Sequence, residues 1–150
     1  MKKITEPGER VLLKAFPSLD ILAFDHVGIR VSDLQIALKF YQLLGFIADP
    51  EENHPEHKAT GLINQYGLHI NLIEGAETAK TNQFNILMDT QRKFPGLTHI
   101  ALVVNNLQNT IQFLSAHGIN ITEGPLVLSR RKICFIRDPD GNVIELDQLL

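Results

Sequence analysis

The sequence predicts an α+β fold built from two paired βαβββ modules. Two observations lead to this prediction. The chain repeats itself at an offset of 73 residues, and each copy passes from a strand pattern to a helix pattern and back. A length of 150 residues with 44% hydrophobic residues suits a single domain with a substantial core.

The repeat is clearest in two 22-residue stretches. Residues 25–46 read DHVGIRVSDLQIALKFYQLLGF, and residues 98–119 read THIALVVNNLQNTIQFLSAHGI. Composition alone rarely produces so many identities at one offset, so we interpret the stretches as equivalent modules. The identical pairs are His26/His99, Val31/Val104, Leu34/Leu107, Gln35/Gln108, Phe40/Phe113 and Gly45/Gly118.

Each copy begins with alternating apolar residues that are typical of a half-buried strand. A helix follows, with capping residues at Ser32-Asp33 or Asn105-Asn106 and a glycine just past its end, Gly45 or Gly118. Further strand patterns follow each helix. These strands are predicted at residues 46–48, 59–63 and 68–74 in the first copy, and at 119–121, 132–137 and 143–147 in the second.

The repeat also predicts the domain organisation. Residues 1–24 form an N-terminal extension, and residues 25–150 form one domain. Within it, a linker of residues 75–97 joins module one, residues 25–74, to module two, residues 98–150. Shorter elements are predicted in the extension and the linker: a helix at residues 9–16 and an apolar element at residues 84–88.

Four polar residues occupy matching positions in the two modules. Each first strand carries a histidine, and each last strand carries a polar residue four positions beyond a turn glycine. If a pseudo-twofold axis relates the modules, these side chains face one another. The sequence therefore predicts a four-cornered site made of His26, Asn71, His99 and Glu145.

At these residues the chain resembles the vicinal oxygen chelate superfamily, which includes glyoxalase I, methylmalonyl-CoA epimerase, extradiol dioxygenases and the bleomycin and fosfomycin resistance proteins. The segments that carry the resemblance are DHVGIRVSDLQIALKFYQLLGF, GLTHIALVVNNLQNTIQF and FIRDPDGNVIEL. The resemblance implies a cupped eight-stranded mixed sheet with helices on the outside. It also implies a divalent metal ion held at the four corners, and a homodimer.

The corner residues favour a metal site with three good ligands. Two imidazoles and a carboxylate, from His26, His99 and Glu145, suit Fe²⁺, and Zn²⁺, Ni²⁺ or Mn²⁺ also fit. Asn71 departs from the family pattern, because an amide is a weak metal ligand. It is predicted either to bind the metal weakly or to donate a hydrogen bond to one of the metal ligands. Proton abstraction would then rest on Glu145, or on His69 if that side chain reaches the cup. The alternative is that both histidines form only local hydrogen bonds.

Two further residues are candidates for substrate binding. Arg30 shares a strand face with His26 and could hold a substrate carboxylate or phosphate, or could pair with an acidic neighbour at the rim. His69 shares a face with Asn71, which suits a pocket wall or a substitute fourth ligand.

The resulting hypothesis is a divalent-metal-dependent enzyme that acts on a small substrate with adjacent oxygens. Both dioxygenase-like chemistry and lyase or isomerase chemistry remain open. The alternative is a non-catalytic protein that sequesters a small molecule, like the bleomycin-resistance members. A net charge of −3 argues against nucleic acid, no apolar run is long enough to span a membrane, and a lone Cys134 suits the cytoplasm.

Overall fold

The computed structural model describes residue 19, residues 21–77 and residues 84–150. Most of the N-terminal extension, including the helix predicted at residues 9–16, lies outside these ranges. The part that is described contains eight strands and two α-helices, in the order βαβββ followed by βαβββ. None of its helices is long and apolar enough to cross a membrane.

Module one forms a four-stranded mixed sheet. The strands lie in the order β1-β4-β3-β2, with β1 parallel to β4 and the other neighbours antiparallel. A single 3-10 turn at Pro55–His57 separates β2 from β3. The elements are β1 (His26–Val31), α1 (Leu34–Leu43), β2 (Phe46–His54), β3 (Ala59–Asn64) and β4 (His69–Glu74).

Module two repeats this topology in the order β5-β8-β7-β6, again with one parallel pair. The predicted α+β class with two βαβββ modules is therefore confirmed. The eight strands form two sheets, and no strand ladder joins them in the part of the chain that is described. The elements are β5 (Ile100–Val103), α2 (Leu107–Ala116), β6 (Glu123–Leu128), β7 (Arg131–Arg137) and β8 (Val143–Leu149).

The strand predicted at residues 119–121 is wrong, because β6 begins only at Glu123. The reason lies in the helix end: Ile119 N donates to Leu114 O at 2.9 Å, so this backbone closes α2 instead of joining the sheet. β2 is longer than predicted and reaches His54, with an irregularity in its pairing between Ala48 and Asn53. Residues 86–89 of the linker form turns rather than a regular apolar element.

The helix boundaries follow the predicted capping residues. Asp33 Oδ1 accepts a hydrogen bond from Ile36 N, and Asn106 Oδ1 accepts one from Asn109 N, both at 2.9 Å. Beyond the helix ends, Gly45 has a φ of 89°, a left-handed conformation that glycine adopts without steric cost.

The apolar core lies between each helix and the sheet of its own module. Its largest fully buried side chains include Tyr41, Leu72, Leu114 and Ile144. Alternation along β1, β4 and β8 leaves the opposite sheet faces for the polar corner residues.

The tight turn of residues 138–141 connects the two modules. The Tyr41 hydroxyl donates to Asp138 Oδ2 at 3.0 Å, and Ser32 N donates to Asp140 Oδ2 at 3.0 Å. Asn142 Nδ2 also reaches Arg30 O. Burial raises the pKa of Tyr41 far above its usual value, and burial also raises the pKa of Asp138. This junction fixes module two against β1 and α1 of module one.

Candidate metal and active site

The strand registers support the equivalence of the last-strand corners. In module one, Gly28 of β1 lies opposite Asn71 of β4. In module two, Ala101 of β5 lies opposite Glu145 of β8. Gly28 and Ala101 are related by the repeat offset of 73, so Asn71 and Glu145 occupy the same place in their modules.

The structure brings two of the predicted ligands into direct contact. His99 Nε2 lies 2.9 Å from Glu145 Oε2. The Phe135 ring stands edge-on to the His99 ring, with 5.7 Å between their centroids. The Glu145 side chain is 11% exposed and that of His99 is 33% exposed, so the pair faces a partly open space.

The surroundings of Glu145 favour its protonated form. Burial is the largest effect that raises the pKa of this carboxyl above its usual range, and the neighbouring Asp147 acts in the same direction. His99 and Arg131 act to lower the pKa of Glu145, but their effect is smaller than that of burial. Arg131 NH1 donates to Asp147 Oδ2 at 2.7 Å and so holds this neighbouring carboxyl in place. A carboxyl with a raised pKa is suited to accepting and returning a proton.

Both histidines have a hydrogen-bond partner on Nδ1, supplied by the residue that precedes them. Asp25 Oδ2 lies 2.6 Å from His26 Nδ1, and Thr98 Oγ1 lies 2.9 Å from His99 Nδ1. A partner on Nδ1 fixes the ring orientation and leaves Nε2 available as a metal ligand. Sequence reasoning missed Asp25 and Thr98, although both occupy the same position in the repeat.

His26 does not join this pair within one chain. Among residues 21–77 and 84–150, no group of three or more His, Cys, Asp or Glu side chains is close enough to hold a metal ion. His26 contacts Asp25 instead. A metal ion shared by His26, His99, Glu145 and Asn71 therefore stays a prediction.

The two candidate substrate-binding residues border cavities between the modules. Arg30 NH1 donates to Glu74 O at 3.0 Å, and Arg30 lines a small cavity of about 130 Å³ together with His99. His69 lines another cavity of about 380 Å³, together with Asp25 and residues of β5. Both positions are compatible with contacts to a ligand between the modules.

Comparison with protein families gives a match over residues 23–146 to the Glyoxalase/Bleomycin resistance protein/Dioxygenase superfamily. The chain belongs to this superfamily. The resemblance that the sequence motifs indicated is therefore confirmed.

Similar proteins within the superfamily include bacterial lyases. The chain is 32% identical to the lactoylglutathione lyase of Haemophilus influenzae over 125 residues, which cover 80% of this chain and 87% of that protein. It is also 32% identical to the Escherichia coli O157:H7 lactoylglutathione lyase, over 81% of this chain and 88% of that one. The crystal structure of an Enterococcus faecalis glyoxalase family protein superimposes with a TM-score of 0.64 and 28% identity, covering 86% and 99% of the two chains.

The His99–Glu145 pair fits one half of the divalent metal site that is typical of the superfamily. Nitrogen and oxygen ligands lie about 2.0–2.2 Å from zinc, which places two ligand atoms of one ion roughly 3 Å apart. The observed separation of 2.9 Å is close to this value. The donor set, a neutral imidazole nitrogen and a carboxylate oxygen, is also one that first-row divalent metals bind.

Proposed function

We propose that the protein is a divalent-metal-dependent lyase of the glyoxalase superfamily, which moves a proton between adjacent oxygen-bearing carbons of a small substrate. The observation that carries this proposal is the contact of His99 with Glu145, a largely buried carboxyl whose pKa is raised. The 32% identity to lactoylglutathione lyases over four-fifths of the chain favours this chemistry over dioxygenation.

His99 and Glu145 would hold the metal ion from module two, and His26 would hold it from module one. When bound, such an ion supplies Lewis-acid polarisation of two neighbouring substrate oxygens. Thr98 and Asp25 keep the histidine rings oriented with Nε2 directed away from the Nδ1 partner. Asn71 would contribute an amide oxygen at the fourth corner or orient a ligand.

Glu145 is the residue to which we assign the proton transfer. Its carboxylate takes a proton from one carbon and delivers it to the neighbouring carbon, while the proton of the hydroxyl passes to the former carbonyl oxygen. A hydroxyl and a carbonyl thereby exchange places. Because Asn71 cannot carry a proton at neutral pH, the same carboxyl performs both steps. The neighbouring Asp147 raises the pKa of Glu145, which makes the Glu145 carboxylate a stronger base.

A second copy of the chain would supply the missing His26. Within one chain the described residues bring only His99 and Glu145 together. Ahead of His26 runs a strongly exposed apolar segment that includes Ile21, Leu22 and Phe24. Exposed apolar clusters of this kind favour association. We therefore propose a homodimer in which module one of each subunit meets module two of the other.

Metal content and thioester formation test this proposal together. Protein purified without added metal is analysed for bound metal and assayed with glutathione and a 2-oxoaldehyde, the components that the relatives' name implies. We expect about one divalent ion per chain. Chelation should abolish the activity, and added metal should restore it. His99→Ala should lose the metal, whereas His57→Ala, which changes an exposed loop histidine, should retain it.

Three results would contradict the proposal. One is oxygen uptake on catechols without thioester formation, which would assign a dioxygenase. Another is a folded protein that binds no metal and has no activity, which would favour a sequestering protein. The third is metal content that is unchanged in His99→Ala, which would place the ion elsewhere.

A further inference from the structure

The two junctions between the modules are not equivalent. On one side, the turn of residues 138–141 closes onto module one through Asp138 and Asp140. On the other side, the matching turn of residues 64–67 faces β5 and α2, and it forms no such bonds among the described residues. Asn64 Oδ1 accepts only from Tyr66 N and Leu68 N, within its own turn. A cavity of about 800 Å³ lies in this open junction. We refer to it as the crevice.

The crevice has an apolar floor and no charge. Its walls come from both modules, and none of the residues that line it is Asp, Glu, Lys, Arg or His. This is unusual in a chain in which 21% of residues are charged. Apolar side chains of its floor and walls include Leu44, Phe46, Leu68, Leu102 and Phe113.

The polar part of the lining is formed by carboxamides. Four asparagines border the crevice: Asn64, Asn105, Asn106 and Asn109. Asn64 and Asn106 use their Oδ1 atoms in local bonds. Within the described ranges, none of the four donates a hydrogen bond from its amide nitrogen. These donors are therefore free for an acceptor oxygen of a ligand.

We propose that the crevice is a binding site for a neutral, largely apolar small molecule that carries a carbonyl or similar acceptor oxygen. Cavities of about 300–1,000 Å³ with apolar walls and a few polar groups are typical ligand sites. An ionic ligand would lose its hydration without gaining an opposite charge. A neutral ring or acyl chain would instead bury apolar surface against Leu68 and Phe113, while its oxygen accepts from an asparagine.

A small molecule fits the crevice better than a second copy of the chain. The crevice is concave and bounded by both modules, whereas an interface between copies requires a broad patch. It adjoins the 380 Å³ cavity that His69 lines, since Phe46, Leu68, Ala101 and Leu102 line both. Binding here needs neither metal nor Glu145, so this inference is independent of the proposed lyase activity.

The test compares two probes with the same ring system. Equilibrium dialysis of the full chain, after chelation, measures the dissociation constants of neutral 2-acetonaphthone and anionic 2-naphthoate. We expect the ketone to bind at least ten-fold more tightly than the carboxylate. Phe113→Ala should weaken ketone binding about ten-fold, and Glu145→Gln should leave it unchanged.

The most discriminating variant places a charge in the lining of the crevice. Asn109→Lys introduces a cation at the crevice, and we expect it to reverse the preference towards 2-naphthoate. Gln108→Lys is the matched control, since it adds the same charge one residue earlier on α2 but lies outside the crevice lining. Gln108→Lys should retain the preference for the ketone. That result would also exclude a general effect of a lysine in the first turn of the helix.

Equal affinity for both probes, or an identical response of Asn109→Lys and Gln108→Lys, would overturn the proposal. So would the absence of ketone binding together with a self-association that Phe113→Ala abolishes, because that result would assign the crevice to a second copy of the chain.

Discussion

Each module has one carboxylate in contact with its repeated histidine, His26 or His99, but the two modules place it differently. In module two the carboxylate is Glu145, which touches His99 Nε2 directly. In module one the corresponding corner is Asn71, and the carboxylate is Asp25, which contacts His26 Nδ1. In the proposed site, Glu145 would face the metal and the substrate, whereas Asp25 contacts the opposite ring nitrogen of its histidine.

Under the proposed function, the two modules would have different roles although they share one fold. Module two would supply the group that exchanges a proton, because burial and Asp147 raise the pKa of Glu145. Module one would supply His26, whose ring is oriented by the carboxyl of Asp25. The same modules also differ at their turns, one of which is closed by hydrogen bonds while the other borders the crevice.

The largest expected effect comes from replacing the residues at the two equivalent corners, Glu145 and Asn71, one at a time. Glu145→Gln removes the proton carrier and should lower kcat about 10²–10⁴-fold, the usual contribution of a general base. Asn71→Ala at the matching position should lower kcat less than about ten-fold, because an amide cannot transfer the proton. Steady-state kinetics with saturating metal measures both variants.

Circular dichroism and metal analysis accompany these kinetics, so that a loss of folding or of metal is separated from a loss of chemistry. Equal effects of Glu145→Gln and Asn71→Ala would show that the two halves contribute alike. The comparison on which the proposed mechanism depends would then fail.

The next effect concerns the two turns. Asp138 accepts hydrogen bonds from Tyr41, Asp140 and Asn142 and is fully buried. Asp138→Ala leaves these donors without a partner and should lower the free energy of unfolding by about 3 kcal/mol. Asn64→Ala at the equivalent turn removes two exposed bonds and should cost roughly 1 kcal/mol.

Urea unfolding measures both changes, and the slope with denaturant shows whether unfolding stays cooperative. If Asn64→Ala destabilises the protein as much as Asp138→Ala, the open turn is also a stabilising junction. The crevice would then need a different explanation.

The sequence predicted the parts of this molecule that depend on local pattern. The repeat located the two modules, the capping residues Asp33 and Asn106 located the helix starts, and the turn glycine before it located Glu145 on the last strand. These features follow from backbone hydrogen bonding and side-chain periodicity, which a single chain segment determines.

The features that sequence reasoning missed depend on rotamers and on contacts between modules. The Asp25–His26 and Thr98–His99 contacts require side-chain torsions that no spacing specifies. The open crevice reflects how two rigid modules meet, and the contacts of Asp138 with Tyr41 join residues 97 positions apart. Such long-range packing leaves little periodic signal in the sequence.

The smallest expected effect comes from replacing the residues that contact Nδ1 of the two histidines. These residues, Asp25 and Thr98, differ between the modules. Partners of metal-bound histidines typically contribute 10–100-fold to metal affinity. Asp25→Ala removes a carboxyl group at 2.6 Å from His26 Nδ1, so metal affinity should fall about 10–100-fold. Thr98→Val removes only a neutral hydroxyl at 2.9 Å from His99 Nδ1, so the loss should be smaller than about ten-fold. Competition with a chromophoric chelator measures both affinities.

Asp33→Ala is the control for Asp25→Ala, since it removes a helix-capping carboxylate on the same segment without contacting a histidine. It should reduce stability by about 1 kcal/mol and leave metal affinity unchanged. If Asp25→Ala also leaves metal affinity unchanged while Thr98→Val reduces it, only module two binds the ion. The carboxylate of module one would then orient a histidine that has no part in the site, and the proposed pairing of the two halves would be wrong.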